Sequence, residues 1–395
     1  MKILLTALLL SMTVGCYSTS NYPTETVSKL RKGMETAIAR KILAEISHEL
    51  PKLKGSLRHG YLDKKSKQFR RSVEPAALNS STLQEFKLLV YITELERIRW
   101  YATDYETRVR TMSSSEIDLR YLESLLTSSL ESINKKLIAL IKAPNQDLSF
   151  HITEVRETAS YPDDSFAGKQ AYLDALELEI LTSFKSLQHL PVGGSRKIEL
   201  RGKETSGPTF FYAKNQLTIN LSAVEALPDF ELASVAAFYG YPGQAALSDL
   251  GPTKSLKSLL QLTGFNVGWA WYNLEKIANQ DIEHVKRHLY FLKLITLSAL
   301  ADLRLHTNTW SKRQAAENIY RQTPYTMNRI NSVLADIQNQ PGYYLSAFAG
   351  KVKLIEIERR CISDCESTLL HRLIALGPLP FNLLEERLIT EKIIQ

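Results

Sequence analysis

The chain has 395 residues, of which 44% are hydrophobic and 23% are charged. This composition is typical of a globular protein and excludes an intrinsically disordered one, and the length allows one large domain or two closely associated domains. The formal net charge of +7 is modest for this length, and the sequence contains no recognised nucleic-acid-binding motif. We therefore expect no nucleic-acid partner.

The N-terminus has the pattern of an export signal. Lys2 precedes an apolar run over residues 3–12, which is shorter than the about 20 residues that a permanent transmembrane helix needs. The run ends in Thr13-Val14-Gly15-Cys16, with small or β-branched residues before the cysteine. Residues 1–15 therefore resemble a bacterial lipoprotein signal peptide, after whose cleavage Cys16 becomes the lipidated first residue. The alternative is an ordinary secretory signal with a chance cysteine.

The residues after Cys16 predict where the protein is held. Residue 17 is Tyr rather than Asp, which by resemblance to the sorting rules of Gram-negative bacteria indicates the outer membrane, facing the periplasm. Residues 16–75 are predicted to be a tether and a basic N-terminal segment, with a helical pattern that Pro51 stops. Residues 52–71 contain eight Lys and Arg residues and a single acidic residue, Asp63. We expect this stretch to be a solvated connector; the alternative is that it binds anionic lipid phosphates.

Residues 76–395 are predicted to form one mainly α domain with a small β element. Apolar residues recur at helical spacing over 82–110, 114–142 and 169–189, and the serines at 113–115 are expected to cap the second of these helices. Three short alternating segments, 198–200, 210–212 and 217–221, are the strand candidates. The helical stripes are typical of core packing, so no chemistry is assigned to them.

One short stretch, residues 236–247, differs from these regular patterns. An apolar helical run leads into Gly240-Tyr241-Pro242-Gly243, and a second apolar run follows. Glycine and proline this close together predict a sharp change of direction. The stretch resembles the signature of the bacterial domain-of-unknown-function family 885, whose members look like mostly helical zinc peptidases and read roughly His-Glu-x-x-Pro-Gly-His-His at this point.

Further stretches resemble blocks of the same family, in the same order along the chain. The resemblance covers about residues 205–395 and implies a zinc-peptidase-like helical architecture. Asp336 and Ile337 stand where the family has an Arg-Tyr pair. The matching residues are Gly268, Trp269, Ala270 and Tyr272; Asp302, Leu305, His306, Trp310, Gln314 and Ala315; Pro341, Gly342, Leu345 and Gly350; and His371, Leu379, Pro380, Leu384 and Glu385.

The residues that the resemblance implies as metal ligands or catalytic groups are absent from this chain. Phe238 and Tyr239 stand in place of the first His and the Glu, Gln244 and Ala245 in place of the last two His, and Val267 in place of an acidic residue. Zinc needs nitrogen, sulfur or carboxylate donors, usually three from the protein in a catalytic site. We therefore expect no zinc, no other cofactor and no catalytic residue at this place.

The same stretches predict a cleft that has lost its metal ligands and catalytic residues. The first hypothesis is a binding or scaffolding lipoprotein that holds a peptide, an envelope polymer or a partner protein; a short strand could hold a peptide by strand addition. The alternative is an active hydrolase or peptidase with a rebuilt site, and a third hypothesis is a structural envelope protein whose cleft is filled by side chains. The candidate cleft residues are Phe238, Tyr239, Tyr241, Gln244, Ala245, Val267, Trp269, Trp271 and His306.

Two further pairs of residues have spacings that suggest a site. His284 and His288 are four residues apart on a predicted helix and could chelate a metal, but the charged residues around them favour a surface face. Cys361 and Cys365 also lie four apart, and on a regular helix this spacing places their Cβ atoms farther apart than a disulfide allows. The expectation is two buried thiols, with a disulfide as the alternative in an oxidising periplasm.

Overall fold

The computed structural model describes residues 24–53, 56–78, 80–101, 104–116, 118–141, 147–186, 198–205, 207–213, 215–247, 262–276, 282–362 and 366–395. Within these ranges the fold is mainly α with a small sheet, as the sequence predicts. The predicted signal peptide, with Cys16, and Cys365 lie outside the described residues. The helices are α1 (Thr24–Glu49), α2 (Ser56–Ser72), α3 (Ser80–Trp100), α4 (Tyr105–Ser113), α5 (Leu119–Ile141), α6 (Leu148–Thr158), α7 (Phe166–Ser186), α8 (Leu232–Tyr239), α9 (Thr263–Leu274), α10 (Ile282–His306), α11 (Lys312–Gln322), α12 (Met327–Asn339), α13 (Tyr343–Arg359), α14 (Glu366–Leu376) and α15 (Phe381–Thr390). The strands are β1 (Glu199–Lys203), β2 (Phe210–Ala213) and β3 (Gln216–Asn220).

The chain divides into two compact units, Met1–Val90 and Tyr91–Gln395, with the boundary inside α3. In the first unit the basic stretch forms helix α2, which corrects the expectation of a connector. Leu62 and Phe69 lie seven residues apart on one face of α2 and are fully buried, and Phe69 stacks on Phe86 with 4.4 Å between the ring centroids. The start of α3 therefore belongs to the first unit.

The predicted helix over 82–110 is two helices, because α3 ends at Trp100 and α4 begins at Tyr105. The carboxylate of Asp104 accepts a hydrogen bond from the Thr107 amide and caps the new start. The serines at 113–115 end α4 instead of beginning α5, since Ser114 adopts a left-handed conformation with φ of 52°. Asp118 caps α5, and its carboxylate accepts from the first backbone amides of that helix.

The three predicted strands form one sheet in the order β1-β3-β2. β1 runs parallel to β3, with Glu199 opposite Gln216, and β2 runs antiparallel to it. Leu217 and Ile219 of the central strand are fully buried. The prediction of a small β element before residue 232 is therefore confirmed, with the strand ends displaced by up to three residues.

The core of the second unit is organised around α10, which is buried from His288 to Leu303. Helices α9 and α13 cross at very short distance beside it. A Cβ atom added to Gly350 would lie 1.7 Å from the Gly264 carbonyl oxygen, and one added to Gly268 would lie 2.8 Å from the Ala347 carbonyl oxygen. Side chains larger than glycine do not fit there, so several of the small residues in the family-like blocks set this helix crossing.

Among the described residues, no helix combines the length and the apolar character that crossing a membrane requires.

Candidate functional site

The Gly-Tyr-Pro-Gly break reverses the chain at the end of α8, as the sequence predicts. The Tyr241–Pro242 peptide bond is cis, and the Trp269 indole Nε1–H donates a hydrogen bond of 2.8 Å to the Pro242 carbonyl. A Cβ on Gly243 would lie 1.9 Å from the Phe238 carbonyl oxygen, so only glycine fits at that position. The break therefore binds α8 to α9, and both sides of the reversal lie in the core.

Most of the predicted cleft residues are part of that core. Phe238, Tyr241, Ala245, Val267 and Trp271 are each at most 7% exposed and belong to one hydrophobic cluster. Gln244 and Trp269 are buried beside them. The rings contact further aromatics across the cluster: Phe238 with Phe291 at 5.7 Å and Trp271 with Phe348 at 5.3 Å between centroids. Packed side chains of the core therefore stand at the positions where the resembled family has its metal ligands.

Tyr239 differs from these residues because it is only partly buried, and polar side chains act on its hydroxyl. Its ring lies 5.8 Å from that of Phe210. Burial raises the pKa of the Tyr239 hydroxyl, and the neighbouring Tyr343 raises it further. Arg329 and Asp336 also act on this hydroxyl. At the position where the resembled family has its Glu, the groups that act on the hydroxyl are therefore a tyrosine, an arginine and an aspartate.

Arg329 and Glu231 form a buried ion pair behind this tyrosine. The Arg329 Nη2 atom lies 3.4 Å from the Glu231 Oε2 atom, and the guanidinium lies over the Phe210 ring, 5.1 Å from its centroid. Burial raises the pKa of Glu231 to about 7, although Arg329 acts in the opposite direction. The two residues are 98 positions apart in the chain, so no local sequence pattern could reveal this pair.

Asp336 lies at a small polar pocket between α12 and the sheet, with a volume of about 170 Å³. Burial raises the pKa of its carboxyl to about 7, partly offset by Arg329. Hydroxyl and amide side chains dominate the walls, which suits a ligand that forms hydrogen bonds. The lining residues are Thr205, Gly207, Thr209, Asn220, Ser222, Ala223, Ala226, Asn328, Ser332, Ala335, Asp336 and Asn339.

His306 lies apart from these residues, at the end of α10. Its Nδ1 atom is 2.8 Å from the Asp302 backbone carbonyl oxygen and 3.1 Å from the Asp302 carboxylate. The ring stacks on Tyr105 at 5.0 Å, and the hydrogen bond to Asp302 raises the pKa of His306. The Asp302 carboxylate also accepts hydrogen bonds from the amides of Gly342 and Leu345 at the start of α13. Asp302 therefore links α10 to α13.

No three or more His, Cys, Asp and Glu side chains are grouped to hold a metal ion in the part of the chain that the structure describes. His288 is buried, which corrects the expectation of a surface face, and both of its ring nitrogens are engaged. Nδ1 lies 3.0 Å from the Ser234 hydroxyl and Nε2 lies 3.0 Å from the Leu274 carbonyl oxygen. Burial lowers the pKa of His288 to about 4, so the ring is neutral at pH 7.

Cys361 is disulfide-bonded, and the expectation of two thiols is therefore wrong. The expectation assumed a continuous helix, but α13 ends at Arg359. The backbone of Cys361 forms an isolated antiparallel β-bridge with the backbone of Ile394 near the C-terminus. The helical spacing that argued against a disulfide therefore does not apply to Cys361, because its backbone is not helical.

A further cavity of the second unit is a groove that the sequence analysis did not single out. It has a volume of about 480 Å³ and lies between α7 and β1. Phe166 is 85% exposed at the start of α7, while Tyr172 and Leu176 of the same helix are buried. The sequence of α7 has apolar residues on more than one face of the helix, and this pattern could have indicated that the helix also lines a groove. The groove is lined by Phe166, Lys169, Gln170, Leu173, Asp174, Glu177, Leu200, Arg201, Gly202, Lys203, Glu204 and Leu221.

Comparison with solved structures finds a fold similar to that of a crystal structure of a candidate lipoprotein from Colwellia psychrerythraea. The TM-score is 0.60 and the sequence identity 16%, and the match covers 91% of this chain and 74% of that chain. At this identity the likeness shows the fold alone. No protein-family model matches the chain, and no curated protein matches it. The resemblance to family 885 therefore stays a prediction.

Proposed function

We propose that this chain is an envelope-anchored lipoprotein with a zinc-peptidase-like fold whose catalytic site has been lost, and that it acts by binding or scaffolding. The observation that carries the proposal is the burial of Phe238, Ala245 and Val267 in one hydrophobic core. These residues stand where the resembled family has two histidines and an acid. Without such donors no bound water at this place has its pKa lowered towards about 7. The signal-like residues 1–16 and the candidate lipoprotein of similar fold support the anchored location.

The zinc content of the folded protein tests this proposal. Protein folded with excess zinc and then desalted should carry no stoichiometric metal and should hydrolyse no peptide bond at this site. About one zinc per chain, lost on His306→Ala or Gln244→Ala, would overturn the proposal. Asp63→Ala, which changes an exposed carboxylate far along the sequence, is the control for adventitious surface zinc.

A converse experiment restores the missing donors. The quadruple variant Phe238→His, Tyr239→Glu, Gln244→His and Val267→Glu should gain zinc affinity if the frame is that of the resembled family. Placing ionisable groups in a packed apolar region costs stability, so folding must be verified first by circular dichroism. A folded variant without any gain in zinc affinity would mean that these four positions do not correspond to the family's ligands.

A further inference from the structure

The outer edge of β1 presents backbone groups that the sheet does not use. The Glu199 amide donates to the Asn215 carbonyl at 2.9 Å, and the Lys203 carbonyl accepts from the Leu221 amide at 2.8 Å. In a parallel pair, alternate residues turn their N–H and C=O groups towards the partner strand. The N–H and C=O groups of Leu200 and Gly202 therefore face away from β3, and within the described ranges no hydrogen bond to them is found.

The residues that carry these backbone groups, Leu200 and Gly202, line the groove of about 480 Å³, and helix α7 forms its other wall. Leu173 and Leu221 form an apolar floor, since a Cβ added to Gly202 would lie 3.1 Å from the Leu173 Cδ1 atom and 2.4 Å from the Leu221 Cδ1 atom. On the α7 wall the Lys169 ammonium is paired with Asp164 and Glu204. An apolar floor thus lies beside a row of backbone donors and acceptors.

We propose that an extended peptide segment of a partner polypeptide adds to β1 as a further strand and lies in the groove beneath α7. The proposal rests on the binding role proposed above and names its ligand class and site. The site is on the opposite edge of the sheet from β2, whose Phe210 contacts Tyr239. It is therefore separate from the predicted cleft.

The geometry of the edge favours a polypeptide over other ligands. Unpaired N–H and C=O groups that alternate along a strand match the groups of another extended backbone, and an unprotected edge is a template for strand addition. The charges of the helical wall favour a particular peptide. Lys169 is already neutralised by two carboxylates, and Asp174 accepts a hydrogen bond from Gln170, which leaves Glu177 as the acidic group of that wall. Arg201 and Lys203 are the basic residues on the β1 side. An apolar residue over Leu173 and a basic residue beside Glu177 suit the groove.

The first test follows hydrogen exchange along β1 in the full chain purified in detergent. The probe is the tightest binder selected from a library of capped octapeptides of random sequence. In the free chain the amides of Leu200 and Gly202 should exchange quickly, whereas those of Arg201 and Lys203, bonded to β3, should exchange slowly. Bound peptide should slow exchange at Leu200 and Gly202 by about tenfold or more and leave Arg201 unchanged, because only strand addition protects alternate residues.

A pair of variants at one position tests the backbone contact directly. Leu200→Pro removes an N–H that faces away from β3, a substitution that edge strands tolerate. It should weaken peptide binding by about tenfold or more, since a buried polar group left without its partner costs about 1–3 kcal/mol and 1.4 kcal/mol is tenfold. Leu200→Val keeps the N–H and should bind within about threefold of the original chain. Circular dichroism of both variants verifies the fold.

Four results would overturn the inference. The first is a selection that yields no peptide, and the second is a Leu200→Pro variant that folds and binds as tightly as Leu200→Val. Protection of Leu200 and Gly202 before any peptide is added would mean that this chain already covers the edge. Peptide bound without protection of these amides would place the binding elsewhere, and the proposed binding role would stand while the strand site failed. Stoichiometric zinc, in contrast, would overturn the proposed function and leave a positive exchange result intact.

Discussion

Two buried lysines of the second unit show that the free-energy cost of burying a charge depends on its partner. Lys351 is 3% exposed, and its ammonium lies 2.6 Å from the Glu275 carboxylate and 4.7 Å from the Phe348 ring centroid. Lys293, on α10, is 1% exposed, and no hydrogen bond or ion pair of its ammonium is found in the described part of the chain. Burial alone lowers the pKa of Lys293 to about 8. The Glu275 carboxylate offsets the cost of burying the charge of Lys351, whereas the buried charge of Lys293 lowers the stability of the folded protein.

We predict that Lys293→Met stabilises the protein by about 1–3 kcal/mol at pH 7, since one pKa unit corresponds to about 1.4 kcal/mol. The unfolded chain binds the Lys293 proton up to a pKa of about 10.4, and the folded chain only up to about 8. Between these values the unfolded state holds more protons, so the original protein gains stability as the pH rises from 8 to 10. The variant should lose that gain.

Urea unfolding at pH 7, 8.5 and 10 measures both effects. Lys351→Met is the matched control: it removes a buried lysine that has a partner, so it should be neutral or destabilising. If Lys293→Met behaved like this control, the Lys293 ammonium would have a compensating partner in the folded protein.

At the scale of elements, the crossing of α9 and α13 explains why small residues stand at several positions of these two helices. Gly264 and Gly268 lie four apart on α9, and Gly350 on α13 approaches the Gly264 backbone. The Trp269 side chain, also on α9, donates a hydrogen bond to the Pro242 carbonyl. The glycines allow two helix backbones to touch, and Trp269 bonds α9 to the chain reversal. These residues therefore have a structural role that is independent of any metal.

We predict that Gly350→Ala destabilises the second unit by about 2 kcal/mol or more, because the new methyl group would lie 1.7 Å from a backbone carbonyl oxygen that has little room to move. Gly60→Ala is the matched control. Gly60 lies in helix α2 and a Cβ there meets nothing within 4 Å, so the change should stabilise by about 0.5–1 kcal/mol. Thermal unfolding followed by circular dichroism compares the two. Equal midpoints for both variants would contradict the close crossing.

At the scale of the whole molecule, the proposed location depends on the N-terminus rather than on any helix of the body. None of the described helices is suited to cross a membrane. An anchored protein of this kind would be held by the lipid on Cys16, and several acyl chains on one residue anchor firmly, since each buried CH₂ contributes roughly 0.8 kcal/mol.

We predict that Cys16→Ala abolishes labelling with a radioactive fatty acid and releases the protein from the membrane fraction of the cell. Cys361→Ala is the control: it removes a disulfide-bonded cysteine of the body and should leave labelling unchanged. Continued labelling of the Cys16→Ala chain would show that the lipid, if present, is attached elsewhere. Release without any change in labelling would equally contradict the predicted anchor.

Local patterns in the sequence were sufficient for the fold class and for several elements. The apolar period of α5 and the alternation of the three strands are properties of neighbouring residues, and they predicted those elements closely. The Gly-Tyr-Pro-Gly reversal also followed from backbone chemistry. Local patterns were insufficient where helices are interrupted: Asp104 caps a new helix inside the predicted run, and α13 ends before Cys361.

Tertiary structure alone decided where the functional candidates lie. The sequence grouped Phe238, Val267 and Trp271 as a cleft, but long-range packing buries all three, because burial depends on which helices meet and not on local spacing. The Glu231–Arg329 pair and the pocket at Asp336 join residues far apart in the chain. The position of β1 at the edge of the described sheet became visible only with the strand order, since which strand lies outermost is fixed by pairing across the sheet.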